Sequence, residues 1–382
     1  MVKKQLKILA FEPFYGGSHK HFIDDVIQHS EHDWQLFTLP ESLWRWRSRT
    51  SAIDFYLQLE ELKDSLKNFN FDLIFTTSII NVAELKGFCA ELFGNKKVIC
   101  YFHENQLAYP IPSKGKQHID AALVNIKSAL VADELWFNSQ HNLDSFTENI
   151  AYFSKEMPEP LSDKIAPLIR KKSLVMPLGI KPPPEKFFEI KKYNNSKKPL
   201  HLVWAARWEY DKNFADFFKA LLFLEYKRID FRVSVLGVSE NHRPKEFDKC
   251  HKRFKDKILN WGFAPSKMDY FNILSAADIF ISTAIHEFFG ISVIEAAMCG
   301  TAVLLPKRLA YVELFRPKEN PQFFYDGSNS DLEQKLANLA TNKTLRNQLT
   351  EHGAIAQKIA IKYKQQDIIK MYDARLLLLA KR

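Results

Sequence analysis

His286-Glu287-Phe288-Phe289-Gly290-Ile291-Ser292-Val293-Ile294-Glu295-Ala296-Ala297-Met298-Cys299-Gly300 follows the apolar run Ile279-Phe280-Ile281-Ser282. That run reads as a buried strand. No proline occurs before Pro306, and Gly300 is a natural residue just past the end of a short helix. The order is therefore strand, loop with an acid at its tip, and helix opening near Gly290. A helix N-terminus at the end of a parallel strand offers N–H groups to an anion. Gly290 lets a phosphate come close to the backbone. Glu287 lies in the loop and Glu295 about a turn and a half into the helix. The pattern fits a nucleotide diphosphate held at Phe289, Gly290 and Ile291, with carboxylates able to hold hydroxyls on either side. The plainer alternative is an α/β turn with two solvated acids.

Strand-like runs recur on both sides of this stretch. They are Leu6–Phe11, Trp34–Thr38, Leu73–Phe75, Val98–Phe102 and Leu135–Asn138, then Leu200–Ala205, Phe231–Leu236, Ile279–Ser282 and Ala302–Leu305. Helical segments separate them, so an α/β chain with parallel sheets is expected. The proline-stiffened Pro177–Pro184 and the polar Lys191–Pro199 mark a boundary between two halves. Apolar residues at helical spacing from Ile355 to Leu376 read as C-terminal helices.

The 382 residues suit two domains, and 46% hydrophobic content supports real cores. Cys89, Cys100, Cys250 and Cys299 lie far apart without metal-ligand spacing, as in reduced cytoplasmic proteins. The first apolar run is too short for a signal peptide and is stopped by Glu12. No run approaches the ~18 residues that would span a membrane, so no stable membrane association is expected. The net charge of +9 suits a polyanionic partner, RNA or an anionic surface, or simply a solvated basic exterior.

Four further motifs carry chemistry. Gly16 and Gly17, in Phe14-Tyr15-Gly16-Gly17-Ser18-His19, follow the first strand and open a helix, which again offers N–H groups to an anion. Arg207 and Lys212 share the loop after Leu202–Ala205 and can neutralise a departing diphosphate. The alternative for them is a surface pair bridging Glu209 and Asp211, and as surface charges neither should matter to folding. His103, Glu104, Asn105 and Gln106 close the strand Val98–Phe102, at the strand end where α/β sheets bind ligands. Trp44, Arg45, Trp46, Arg47 and Arg49 interleave rings that stack on bases with guanidinium groups that meet phosphates. Both tryptophans could instead be core, two apart on one side of a strand. No Asp-x-Asp or His/Asp cluster is evident that would hold Mg2+ or Mn2+ on a diphosphate.

From Asn260-Trp261-Gly262 through Asp269-Tyr270 and Ala276-Ala277-Asp278 to Glu287, Gly290, Glu295 and Gly300, the chain resembles the C-terminal half of family 4 retaining glycosyltransferases. These have the GT-B fold, two Rossmann-like domains facing each other across a cleft. Phe14–His19, Trp44–Ala52, Tyr101–Gln106, Arg207–Lys212 and His286–Gly290 together resemble the tRNA-queuosine α-mannosyltransferase family. The resemblance implies an acceptor domain over 1–184, a linker over 185–199, a nucleotide-sugar domain over 200–355, and a C-terminal helix over 356–382 crossing back to the first domain. It implies transfer of mannose from GDP-mannose, with retained configuration and no metal or other cofactor, to the cyclopentene-diol of queuosine at the wobble position of aspartate tRNA, in the cytoplasm. Gly16, Gly17, Arg207, Lys212 and Phe289–Ile291 would hold the diphosphate. Glu295 would hold the ribose, His103 would contact the sugar, and Glu287 would orient sugar hydroxyls. Trp44, Arg45, Trp46, Arg47, Arg49, Asn105 and Gln106 would serve the acceptor. Two other readings stay open: a glycosyltransferase acting on lipid or polysaccharide at a membrane, with 160–172 as an amphipathic segment, and a non-catalytic nucleotide- or RNA-binding scaffold.

Overall fold

The computed structural model describes residues 5–62, 69–109, 119–188, 198–238 and 244–381. The chain forms two compact units, Met1–Gly179 with Gln365–Arg382, and Ile180–Lys364.

The first unit contains β1 (Lys7–Tyr15), β2 (Asp33–Pro40), β3 (Leu73–Thr77), β4 (Lys97–Phe102), β5 (Glu134–Phe137) and β6 (Ser173–Val175). They form one sheet in the order β2-β1-β3-β4-β5-β6, with every pair parallel. The chain runs outward from β1 to β2 and then returns to β3 on the other side of β1. That reversal opens a crevice at the carboxyl ends of β1 and β3, the place where such sheets bind ligands.

The second unit contains β7 (Leu200–Ala205), β8 (Phe231–Leu236), β9 (Ile258–Gly262), β10 (Ile279–Ile281), β11 (Ala302–Pro306) and β12 (Phe324–Tyr325). Their order is β12-β11-β10-β7-β8-β9, again parallel. Here the reversal falls between β7 and β10, where Leu202 pairs with Ile279. The loop carrying Arg207 follows β7, and the loop carrying Glu287 follows β10. The topology alone brings the two motifs to one end of one sheet.

All nine expected strands are present. The three others, β6, β9 and β12, are sheet edges. β6 and β9 are partly exposed along their length and β12 has only two residues, so none carries the continuous apolar run of a central parallel strand. β1 also continues past Phe11 to Tyr15, and Glu12 stays fully buried within it rather than stopping it.

The segment that joins the first unit from the C-terminus is shorter than 356–382. The helix Lys343–Ala360 belongs to the second unit, and only Gln365 onward belongs to the first. The boundary on the other side falls at Gly179/Ile180, ahead of the expected 185–199 linker, of which 189–197 lie outside the described residues. The helix Gln365–Ala380 is fixed by polar contacts. Tyr372, buried, donates to the Pro177 carbonyl at 2.7 Å. Asp373 accepts from Ser30 Oγ at 2.6 Å and from the Glu31 N–H at 2.8 Å. Arg375 meets both oxygens of buried Glu134, which also accepts from Trp136 Nε1 at 2.7 Å.

Candidate active site

In the second unit, Gly290 caps the helix Ile291–Met298 at φ +97°, a conformation that favours glycine. A Cβ there would also lie 2.8 Å from Tyr311 Cε1, so the ring and the helix start are packed as tightly as glycine permits. The first turn leaves N–H groups without acceptors along the helix. Beside it, Lys212 Nζ donates to the His286 carbonyl at 3.0 Å and to Glu287 Oε2 at 3.2 Å, and lies 3.1 Å from Asp211 Oδ2. Glu287 Oε1 accepts from the Phe289 N–H at 3.4 Å.

This corrects the expectation that both cations are surface groups. Lys212 is only 9% exposed. Burial opposes its charge, but Glu287 and Asp211 outweigh burial and hold the ammonium above its ordinary range. For Glu287, burial likewise opposes ionisation, and the charge and hydrogen bond of Lys212 outweigh it, keeping the carboxyl below its ordinary range. Each ion is buried because the other is there. Arg207 differs: its side chain is 55% exposed and lies 3.2 Å from Glu209. The neighbouring Trp208 is buried and stacks on Phe247 at 4.5 Å, which anchors the loop while Arg207 stays at the surface. Both ion pairs named as the alternative for this loop therefore form, one exposed and one buried. Ala206, Lys212, Ser282, Glu287, Ser292 and Tyr311 line a cleft at the ends of β7 and β10. An always-charged ammonium, helix N–H groups and an ionised carboxylate together offer an anion site beside a hydroxyl acceptor.

Glu295 lies on the same helix, 8% exposed, and its carboxylate is paired with Lys267. Tyr270 borders it: burial first, and then Glu295, raise the phenol well above its ordinary range. Glu295 thus already has a cation partner in Lys267.

In the first unit, Gly16 precedes the helix Gly17–His29, and Gly17 has φ +49°. The Glu41 carboxyl lies against Gly16, where a Cβ would come within 1.5 Å of Oε2. His103 follows β4, its carbonyl held by Asn138 Nδ2 at 2.7 Å. Its ring packs on Phe22 at 4.5 Å and on Tyr101 at 4.7 Å. Burial, and then the neighbouring His19, push the imidazole well below its ordinary range. Glu12 and His19, missed as site residues in the sequence, join it: His19 Nδ1 lies 3.3 Å from Glu12 Oε1, and the His19 and His103 rings are 4.2 Å apart. The available signal was an acid inside an otherwise apolar strand, with a histidine one turn into the next helix.

Asn105 is tied into the loop by internal partners. It is fully buried, its Nδ2 donates to Asn142 Oδ1 at 2.8 Å and Ser145 Oγ at 3.1 Å, and its Oδ1 accepts from the Ala108 N–H at 2.8 Å. It holds the loop in shape. Gln106 is 9% exposed, and its side chain donates to Glu104 at 3.1 Å.

Trp44–Glu61 is a helix, not a strand, so Trp44 and Trp46 face different ways. Trp44 is half-buried, with the Arg45 guanidinium 5.5 Å from its ring, whereas Trp46 is 58% exposed. Arg47 pairs with Asp54 at 3.3 Å, and Arg49 pairs with Asp120. Ser42, Leu43, Trp46, Arg47, Thr50 and Ile53 line an open surface groove. Among the described residues no helix is long and apolar enough to cross a membrane. Within 160–172 only Ile165–Lys171 is helical, and Ile169 is buried.

Residues 7–180 match the family described as "tRNA-queuosine alpha-mannosyltransferase N-terminal", and 185–355 match "Glycosyl transferases group 1". The chain is 36% identical over 340 residues to the tRNA-queuosine alpha-mannosyltransferase of Drosophila melanogaster, covering 87% of this chain and 86% of that protein. It is 27% identical over 190 residues to an N,N'-diacetylbacillosaminyl-diphospho-undecaprenol alpha-1,3-N-acetylgalactosaminyltransferase of Campylobacter jejuni, covering 48% of this chain and 46% of that one. Among solved structures it is similar to a glycosyltransferase from Rickettsia africae (TM-score 0.68, 16% identity, 100% of both chains). It is also similar to sucrose-phosphate synthase from Thermosynechococcus elongatus (TM-score 0.69, 13% identity, 99% and 100% of the two chains). The architecture is that of GT-B glycosyltransferases.

Proposed function

The chain belongs to the tRNA-queuosine alpha-mannosyltransferase family, and from that membership we propose that it transfers mannose to queuosine in tRNA. The observation that carries this is the 36% identity to a tRNA-queuosine alpha-mannosyltransferase along 86% of that protein's length. The donor we propose is GDP-mannose, and the acceptor the cyclopentene-diol of queuosine at the wobble position of aspartate tRNA, in the cytoplasm. Four free, buried cysteines suit a reducing compartment. Lys212, Arg207 and the helix start at Gly290–Ile291 take the diphosphate, while Glu287 accepts from sugar hydroxyls. The acceptor hydroxyl attacks from the face of the departing phosphate, whose oxygen takes the proton. The test is mass spectrometry of tRNA nucleosides with and without the gene. Its loss should leave queuosine in place of the mannosyl derivative, and an unchanged nucleoside profile would reject the assignment.

The diphosphate is held by side chains and helix N–H groups rather than by a metal. GDP should therefore bind with the same affinity in EDTA and in Mn2+, measured by calorimetry. A tightening of about tenfold or more with Mn2+, roughly 1.4 kcal/mol, would show that the diphosphate arrives as a metal complex.

For the acceptor, Trp46 is the exposed ring of its helix and lines the groove. Stacking is worth roughly 1–3 kcal/mol per base, so Trp46→Ala should weaken tRNA binding about 5- to 150-fold. Its exposure means the fold should survive, and GDP affinity should not change. A folded Trp46→Ala protein with normal tRNA affinity would remove this helix from the acceptor surface.

A further inference from the structure

We propose that Glu12, His19 and His103 form a binding site for a divalent transition-metal ion in the first unit. One ligand atom from each lies within 4.8 Å of the other two. Glu12 is fully buried. Its Oε1 accepts from the Phe14 N–H at 2.9 Å and faces His19 Nδ1 at 3.3 Å, while its Oε2 is buried with no hydrogen-bond partner. His103 Nε2 is also buried without one. Buried polar atoms are nearly always paired, and an uncompensated carboxylate is the costliest exception. Three groups able to ligate a cation lie within 4.8 Å of one another, two of them with buried atoms unpartnered. A water molecule has two protons to give, whereas a cation meets all three groups.

Two imidazoles and one carboxylate are a ligand set of zinc and related ions, and three protein ligands leave a fourth position open for a solvent or substrate oxygen. Zinc bonds of about 2.0–2.2 Å place tetrahedral ligand atoms about 3.4 Å apart, so side-chain movements on the order of 1 Å would close the site. The backbone already holds the three in place: Glu12 on β1, His19 in the first turn of the helix after it, and His103 just past β4 with its carbonyl anchored by Asn138. All three ligands belong to the first unit. The site does not rest on the identity of donor or acceptor.

The test is Zn2+ titration of the full chain after chelator treatment and dialysis, with competition against a chromophoric chelator. One tight site per chain is expected. Glu12→Gln, His19→Asn and His103→Asn should each weaken it at least about tenfold, as loss of a ligand should exceed the 10- to 100-fold seen on losing a ligand's own support. His251→Asn, at an exposed position, should not. X-ray absorption of the zinc-loaded unmutated chain keeps the test independent of how the variants fold. It should show nitrogen and oxygen ligands at about 2.0–2.2 Å with two imidazoles. No tight zinc site, a site unaffected by Glu12→Gln in the folded variant, or a sulfur ligand would each overturn the proposal, leaving the orphaned atoms to ordered water.

Discussion

Lys212→Ala should lower turnover by on the order of 10²–10³ and also destabilise the second unit by about 3–5 kcal/mol. The two effects have separate causes. The first is the loss of a positive group facing a developing anion at the end of β7. The second arises because Asp211 and Glu287 are left in a buried space without the ammonium that holds them there. Lys212→Arg keeps the charge but replaces a compact ammonium with a planar fork, so stability should recover more than turnover does. Urea unfolding of the full chain, read beside initial rates at a temperature where both proteins are folded, separates the effects. Destabilisation below about 1 kcal/mol would mean that the three ions are not the buried cluster described.

Arg207→Ala should bring a comparable loss of turnover, on the order of 10²–10³, without the loss of stability. Its guanidinium is more than half exposed and its partner Glu209 is one-third exposed, and such surface pairs contribute about 0–1 kcal/mol. The urea midpoint should therefore stay where it is while the rate falls. Arg207 and Lys212 together form an internal control: both are proposed to meet the diphosphate, and only Lys212 is built into the core. Full activity in Arg207→Ala would remove it from the diphosphate site.

The central strands and the loop that ends on Gly290 were legible because burial on both faces forces long apolar runs, and because glycine is favoured at φ +97°. Two of the remaining strands were not, since Ser173–Val175 and Phe324–Tyr325 are too short to carry a pattern. The burial of Lys212 was illegible for another reason. A lysine is ordinarily exposed, and only the convergence of the β7 and β10 loops adds Glu287 to its neighbour Asp211. The burial of Asn105 was not legible because a polar residue after a strand looks solvent-facing, while its partners Asn142 and Ser145 lie on a helix far along the chain. Six residues of the Trp–Arg segment carry no period that separates helix from strand. Only the full length of the helix, from Trp44 to Glu61, distinguishes the two. Glu12, His19 and His103 meet only because β1 and β4 share a sheet.

The helix Gln365–Ala380 also bears on how the protein is made. Its Tyr372, Asp373 and Arg375 are part of the first unit's interior and rim, yet they are synthesised only after the whole second unit. Gly179 and Gln365 touch closely enough that a Cβ on the glycine would lie 2.7 Å from the Gln365 backbone, so the chain leaves and re-enters at neighbouring points. The whole second unit, Ile180–Lys364, is thus translated between the long N-terminal part of the first and its C-terminal helix. At about 5–20 residues per second this takes roughly 10–40 s, during which the nascent first unit waits with Glu134 and Trp136 uncovered. Ribosome-bound chains ending near Lys364 should be protease-sensitive around β5, and release of the full chain should protect it.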